Sequence, residues 1–190
     1  MYPMTLKHIL LIAWLLPLSV LSQSPGTAAE KRWHIDEVLA DKNTMPLAKD
    51  IYQGRWELSN DNFGPLLLIL DSFPKMAPAV RGFYFIVIAK SFDKADGAYS
   101  EGLGYSGKDF VDNNFMEFLD FFCGEGKLPD VYLQKWAGIV ALETELVREN
   151  QDAKIVSKIS KIYGAKCKDC RSEQRAVSKR FEDLLKTYIK

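Results

Sequence analysis

Val177, Phe181, Leu184, Leu185 and Tyr188 follow one another at steps of four, three, one and three residues. That spacing places all five on one face of an α-helix, with Lys179, Glu182, Asp183 and Lys186 on the other. A stripe of this kind has to be covered by another apolar surface, and the chain supplies several more. Ile155, Ile159 and Ile162 form one stripe beside a second of Lys154, Lys158 and Lys161, which reads as a surface helix with one buried face. Gly164 reads as its left-handed stop, and Ser172 as the N-cap of the last helix. Pro129 suits a first helical turn, after which Tyr132, Trp136, Ile139, Val140 and Leu146 carry the pattern to about Val147. Val111, Phe115, Phe118, Leu119 and Phe122 form an aromatic stripe that ends at Gly124.

Leu66 to Leu70 and the run Phe83 to Ala89 are rich in residues that also suit buried strands. Both are assigned to helix, because Pro65 and Pro78 fall near plausible helix starts and an isolated pair of strands would leave exposed edges. Trp33 is the residue able to pin the weakly patterned segment before Thr44 to the core. The chain has 190 residues, 47% of them hydrophobic, enough for a single core without a second domain. The fold expected is all-α: one domain of about six or seven antiparallel helices, as a bundle or a short stack of helical hairpins. Residues 44–190 form the helical domain, and 23–43 are an extended lead-in.

The N-terminus has the order of an export signal. Met1 to His8 carries Lys7 and no acid, Ile9 to Leu16 is apolar, and Pro17 breaks the run. Ile9 to Leu21 spans 13 residues, short of the roughly 20 that cross a bilayer, so no stable membrane span is expected after processing. Val20-Leu21-Ser22 suits signal-peptidase cleavage before Gln23, making 1–22 the signal peptide. Thr27-Ala28-Ala29 offers an alternative after residue 29. The expected location is periplasmic or extracellular.

Export places Cys123, Cys167 and Cys170 where disulfides persist. A bridge from Cys123 to either of the others would close a loop of more than 40 residues and contribute about 4 kcal/mol in the chain-entropy model. The long-range bridge is therefore the expected one. The Cys167-x-x-Cys170 spacing also has redox and zinc readings, but it lacks the preceding strand of a thioredoxin-like site and the second ligand pair of a zinc site.

Other motifs weaken against the chemistry they would serve. Gly102-Leu103-Gly104-Tyr105-Ser106-Gly107 matches G-x-G-x-x-G, yet no hydrophobic strand precedes it, so it reads as a helix break or a close helix contact. Asp93, Asp96, Gly97 and Glu101 are acidic like a calcium loop with the wrong spacing, and Asp96 reads as a helix N-cap. His34 is the lone histidine after the signal segment, so a Ser-His-Asp or Cys-His mechanism would have to recruit it. No metal site and no cofactor is expected. Glu57, Glu101 and Glu117 lie among aromatic residues in the sequence, which keeps a carboxylate-pair hydrolase of the cell envelope as the competing reading.

Charge is unevenly distributed. Residues 151–190 hold 11 Lys or Arg against five Asp or Glu, whereas 30–149 hold 13 against 20. Either the two regions neutralise each other on packing or the basic one faces a partner. A Lys stripe without an Arg and aromatic platform does not suit nucleic acid. The expected function is an exported helical interaction module that engages, and in one version neutralises, an acidic protein partner through Lys154, Lys158, Lys161, Lys179 and Lys186. It is expected to act by binding rather than catalysis.

Overall fold

A computed structural model describes residues 27–146 and 152–189. The signal segment 1–22 lies outside the described residues. Among those described the chain is all-helical, with α1 (Ala28–Arg32), α2 (Ile35–Ala40), α3 (Pro46–Tyr52), α4 (Asn60–Ser72), α5 (Pro78–Ser91), α6 (Gly97–Asn113), α7 (Phe115–Asp120), α8 (Asp130–Leu146), α9 (Asp152–Lys166) and α10 (Ser172–Tyr188). No described helix is long and apolar enough to cross a membrane.

α5 and α8 form the centre. Every residue from Gly82 to Ala89 is buried, which explains why this run has no amphipathic signature and looks strand-like in sequence. Pro78 is its first residue, where the missing N–H costs nothing. On α8, Leu133, Trp136, Ala137, Ile139, Val140 and Ala141 are all buried, and Trp136 Nε1 donates to the Phe85 carbonyl at 3.3 Å. Phe85 lies between two rings, 4.0 Å from Phe121 and 4.3 Å from Trp136, nearly parallel to both.

The helices around this centre are not uniformly antiparallel. α6 runs against α8, with Gly107 at Ile139 and Gly104 at Leu142 and Glu143. α10 runs parallel to α8, because Arg180 meets Asp130 and Tyr188 meets Gly138. α9 returns against α10, where its Tyr163 ring lies 5.4 Å from Phe181.

The lead-in differs from the extended segment expected. Thr27 and Glu30 form a reciprocal capping box, Glu30 N to Thr27 Oγ1 at 3.2 Å and Thr27 N to Glu30 Oε2 at 2.6 Å, which starts α1. His34, at φ 51°, turns the chain from α1 into α2. Trp33 does pin the segment, packing on Phe121 at 4.6 Å and lying so close to Gly82 that a Cβ there would meet its ring at 2.7 Å. Arg32 lies over Trp33 and donates to the carbonyls of Asp120, Cys123 and Glu125, satisfying the open acceptors just beyond α7.

Local boundaries also shift. α4 starts at Asn60, where Asn62 Oδ1 accepts from Ser59 N at 3.0 Å, so Pro65 lies inside the helix rather than near its start. The aromatic stripe of 111–122 breaks at Asn114 into α6 and α7. Gly164 is an ordinary residue within α9, which ends where Cys167 N reaches the Tyr163 carbonyl at 3.1 Å. Arg171, not Ser172, holds the cap position of α10.

Candidate functional site

The basic C-terminal segment is docked in part by its own charges. Arg171 meets Asp120 at 2.7 Å and Arg180 meets Asp130 at 2.6 Å. Gln174 Nε2 adds a bond to Asp120, and Glu173 accepts from Gly124 N. Arg175 folds back onto the carbonyls of Cys170 and Lys168. Lys166 reaches the Asp112 carbonyl, while the Asp112 carboxylate takes Tyr163 at 3.2 Å and Lys108 at 2.6 Å. Burial, and then the Asp112 charge, push the Tyr163 phenol up, so it stays a proton donor.

The five lysines proposed as one surface are divided between α9 and α10. The Lys154 side chain lies outside the described residues. Lys158 and Lys161 are exposed on α9, and Lys179 is exposed on α10. Lys186 pairs with Asp183 at 3.5 Å, and Asp183 lines a groove of about 530 Å³ between α8 and α10 with Val131 and Leu184. Lys158, Lys161, Lys168 and Lys179 have no carboxylate in ion-pair range among the described residues, so theirs is basic charge that packing leaves facing outward.

The apolar face of α9 is also different from the one expected. Ile162 is 37% exposed, and its neighbour Tyr163 is buried instead, stacked 5.0 Å from Phe115. The end of α9 meets the end of α6, where Tyr163 and Lys166 both reach Asp112. Tyr105 is 67% and Met116 38% exposed. Together with Ile162 these are three of the five large exposed hydrophobic side chains among the described residues. Sequence reasoning passed over Tyr105 and Met116. The available signal was that Tyr105 falls off the buried line of Leu103, Phe110 and Val111.

The disulfide joins Cys167 to Cys170, and Cys123 is free and buried. This corrects the long-range bridge expected from loop entropy. The two sulfurs of the C-x-x-C turn are brought together by the end of α9 and the approach to α10, whereas Cys123 sits at the α7–α8 turn, where burial raises its thiol pKa. Closing so short a loop contributes about 2 kcal/mol in the chain-entropy model, against about 4 for the long bridge. The double variant Cys167→Ser/Cys170→Ser is accordingly expected to lose about 2 kcal/mol or less in urea unfolding, and Cys123→Ser to leave the non-reduced peptide map unchanged.

The catalytic candidates are occupied or solitary. His34 bonds Glu37 at 3.1 Å. Glu117 is held by Arg81, whose guanidinium also caps the Met76 carbonyl. Glu57 is exposed and paired with Lys94, and Glu101 projects from α6. Gly102 to Gly107 lie inside α6, where the N–H groups that would cradle a phosphate are committed to the helix. Asp96 is the N-cap of α6 and Asp93 pairs with Lys135. No cluster of metal-ligating side chains occurs among the described residues.

One other cluster of titratable groups exists. Lys90 donates to the Tyr52 carbonyl and lies 4.4 Å over the Tyr52 ring, while Tyr52 OH reaches Glu30 at 3.3 Å. Burial, and then Lys135, push the Lys90 amine down, and burial lifts the Tyr52 and Tyr132 phenols. Its polar contacts tie α1, α3 and α5 together.

Comparison of the chain with protein-family models, curated proteins and solved structures finds no match.

Proposed function

We propose that the protein is an exported interaction module that engages an acidic protein partner through the outward lysines of α9. The observation that carries this reading is the exposure of Lys158 and Lys161, without a carboxylate in range among the described residues, in a segment where Lys166, Arg171 and Arg180 are spent on docking. Export rests on the order of the first 22 residues. Cleavage before Gln23 fits the fold better than cleavage after residue 29, because the latter would cut α1 and remove its Thr27 cap.

The test uses the protein recovered from the exported fraction of its native cell. Its intact mass is expected to correspond to a chain beginning at Gln23. A partner co-purifying at low salt is expected to dissociate as salt rises, because exposed charges are screened over about 8 Å at physiological ionic strength. Replacing Lys154, Lys158 and Lys161 together by Gln is expected to abolish capture and to change stability little, as is usual for exposed sites. Capture that survives both the triple variant and high salt would remove the lysines from the interface.

A further inference from the structure

We propose that Met116 is a redox modification site: its thioether takes an oxygen atom from a peroxide-class oxidant, and the sulfoxide so formed uncovers the Cys167–Cys170 disulfide to reduction by a dithiol. The inference goes beyond the proposed function and uses none of the lysines. Met116 Sδ lies 3.7 Å from Cys170 Sγ, which is van der Waals contact between the two sulfurs. The disulfide itself is buried, Cys167 being 7% and Cys170 4% exposed, whereas Met116 is 38% exposed. Met116 therefore covers one side of the disulfide and presents its own outer side to solvent. Of the other methionines among the described residues, Met45 and Met76 are each only partly exposed.

The sulfurs differ in what a reagent from solvent can do to them. At Met116 a sulfur lone pair attacks the peroxide, an S–O bond forms, the O–O bond breaks and the second oxygen leaves as water; sulfur gives up two electrons and the peroxide gains them. The Cys123 thiol competes poorly, because it is buried, burial raises its pKa, and the thiolate is the reactive form. A sulfoxide is polar and no longer suits a seat against an apolar sulfur. Thiol–disulfide exchange depends on access to the sulfur attacked, so displacing Met116 opens Cys170 Sγ. One thiolate of the dithiol bonds to Cys170 and expels Cys167 as thiolate. The second then closes the reductant into a cyclic disulfide and releases Cys170, leaving two protein thiols. The neighbouring contacts keep this change local. Phe115 stacks on Tyr163, Asp120 holds Arg171 and Gln174, and Arg175 caps the Cys170 and Lys168 carbonyls, so α7, α9 and α10 stay together when the turn is released.

The test treats the protein, as isolated from its native cell, with limiting hydrogen peroxide and then with dithiothreitol, trapping the thiols released from Cys167 and Cys170 with iodoacetamide over time. Peptide mapping is expected to find one oxygen atom added at Met116 before any at Met45 or Met76, and the oxidised protein is expected to release the two thiols several-fold faster than the untreated one. Met116→Leu keeps the side-chain size and removes the sulfur, so it should be reduced slowly with or without peroxide. Met116→Gln, polar at the same place, should be reduced quickly without peroxide. The helical circular dichroism signal is expected to persist in every sample. Equal oxidation of the three methionines overturns the site, and selective oxidation of Met116 with an unchanged reduction rate overturns its control of the disulfide. Peroxide that speeds reduction equally in Met116→Leu acts through another group and overturns the assignment, and faster reduction accompanied by loss of the helical signal makes the effect unfolding and overturns the local device.

Discussion

Phe85→Ala is expected to cost about 3 to 5 kcal/mol, the range for truncating a large aromatic side chain in a packed core. Phe85 is fully buried and stacked on both faces, against Phe121 of the α7–α8 turn and Trp136 of α8. Removing its ring therefore uncouples three parts of the chain at once. The cavity cannot collapse easily, because Trp136 is also fixed by its bond to the Phe85 carbonyl. Against a total stability of about 5 to 15 kcal/mol typical of domains, this is a large share. Urea unfolding should show a lower midpoint with an unchanged slope. Leu68→Ala, at a side chain that is 59% exposed, should stay within about 0.5 kcal/mol. A loss below about 1 kcal/mol for Phe85→Ala, outside the range for a buried ring, would mean that the aromatic stack does not organise the core.

What was legible in the sequence follows from how local each signal is. Long amphipathic helices such as α10 announce themselves, because one buried face against one wet face is a pattern within the segment itself. α5 does not, since a helix buried on every side has no face to contrast; proline and context assigned it. α1 and α2 have five and six residues, too few turns for a periodicity to stand out. Thr27-Ala28-Ala29-Glu30 moreover carries two meanings at once, a small-residue cleavage site and a capping box. The capping box is present in the fold.

The candidate surface was legible as charge but not as geometry. Whether a basic residue is spent on docking depends on an acceptor about 50 residues away: the carboxylates of Asp120 for Arg171 and Asp130 for Arg180, and the backbone carbonyl of Asp112 for Lys166. None of these pairings leaves a trace in local spacing. The same applies to the cysteines. Loop entropy favours the most distant pair only if both ends can meet, and the fold puts Cys123 at a different turn. Ile162 looks like a core residue in sequence, and only the packing of α9, which buries Tyr163 against Phe115 instead, leaves it 37% exposed.

The glycines of α6 separate a packing role from a ligand role by the sign of a stability change. In an exposed helix interior, Gly→Ala gains about 1 kcal/mol because alanine has the higher helix propensity. A Cβ added at Gly164 in α9 would meet nothing within 4 Å, so Gly164→Ala should stabilise by roughly that amount. Gly102 faces the flexible ends of Leu67, at 3.1 Å, and Leu70, at 4.0 Å, and its substitution should be near neutral. At Gly104 a Cβ would lie 2.9 Å from the Glu143 backbone nitrogen, and at Gly107 it would lie 2.3 Å from Ile139 Cγ2. Backbone cannot step aside as a side-chain tip can, and Ile139 is fully buried. Gly104→Ala and Gly107→Ala should therefore each destabilise by about 1 to 3 kcal/mol despite the propensity gain. The double variant should depart from additivity, because both substitutions push the same helix off α8. Thermal or urea unfolding of the four single variants gives the comparison. Stabilisation at Gly104 and Gly107 equal to that at Gly164 would show that α6 and α8 do not touch there, whereas the opposite signs expected would identify the G-x-G-x-x-G pattern as the small-residue face of a helix crossing.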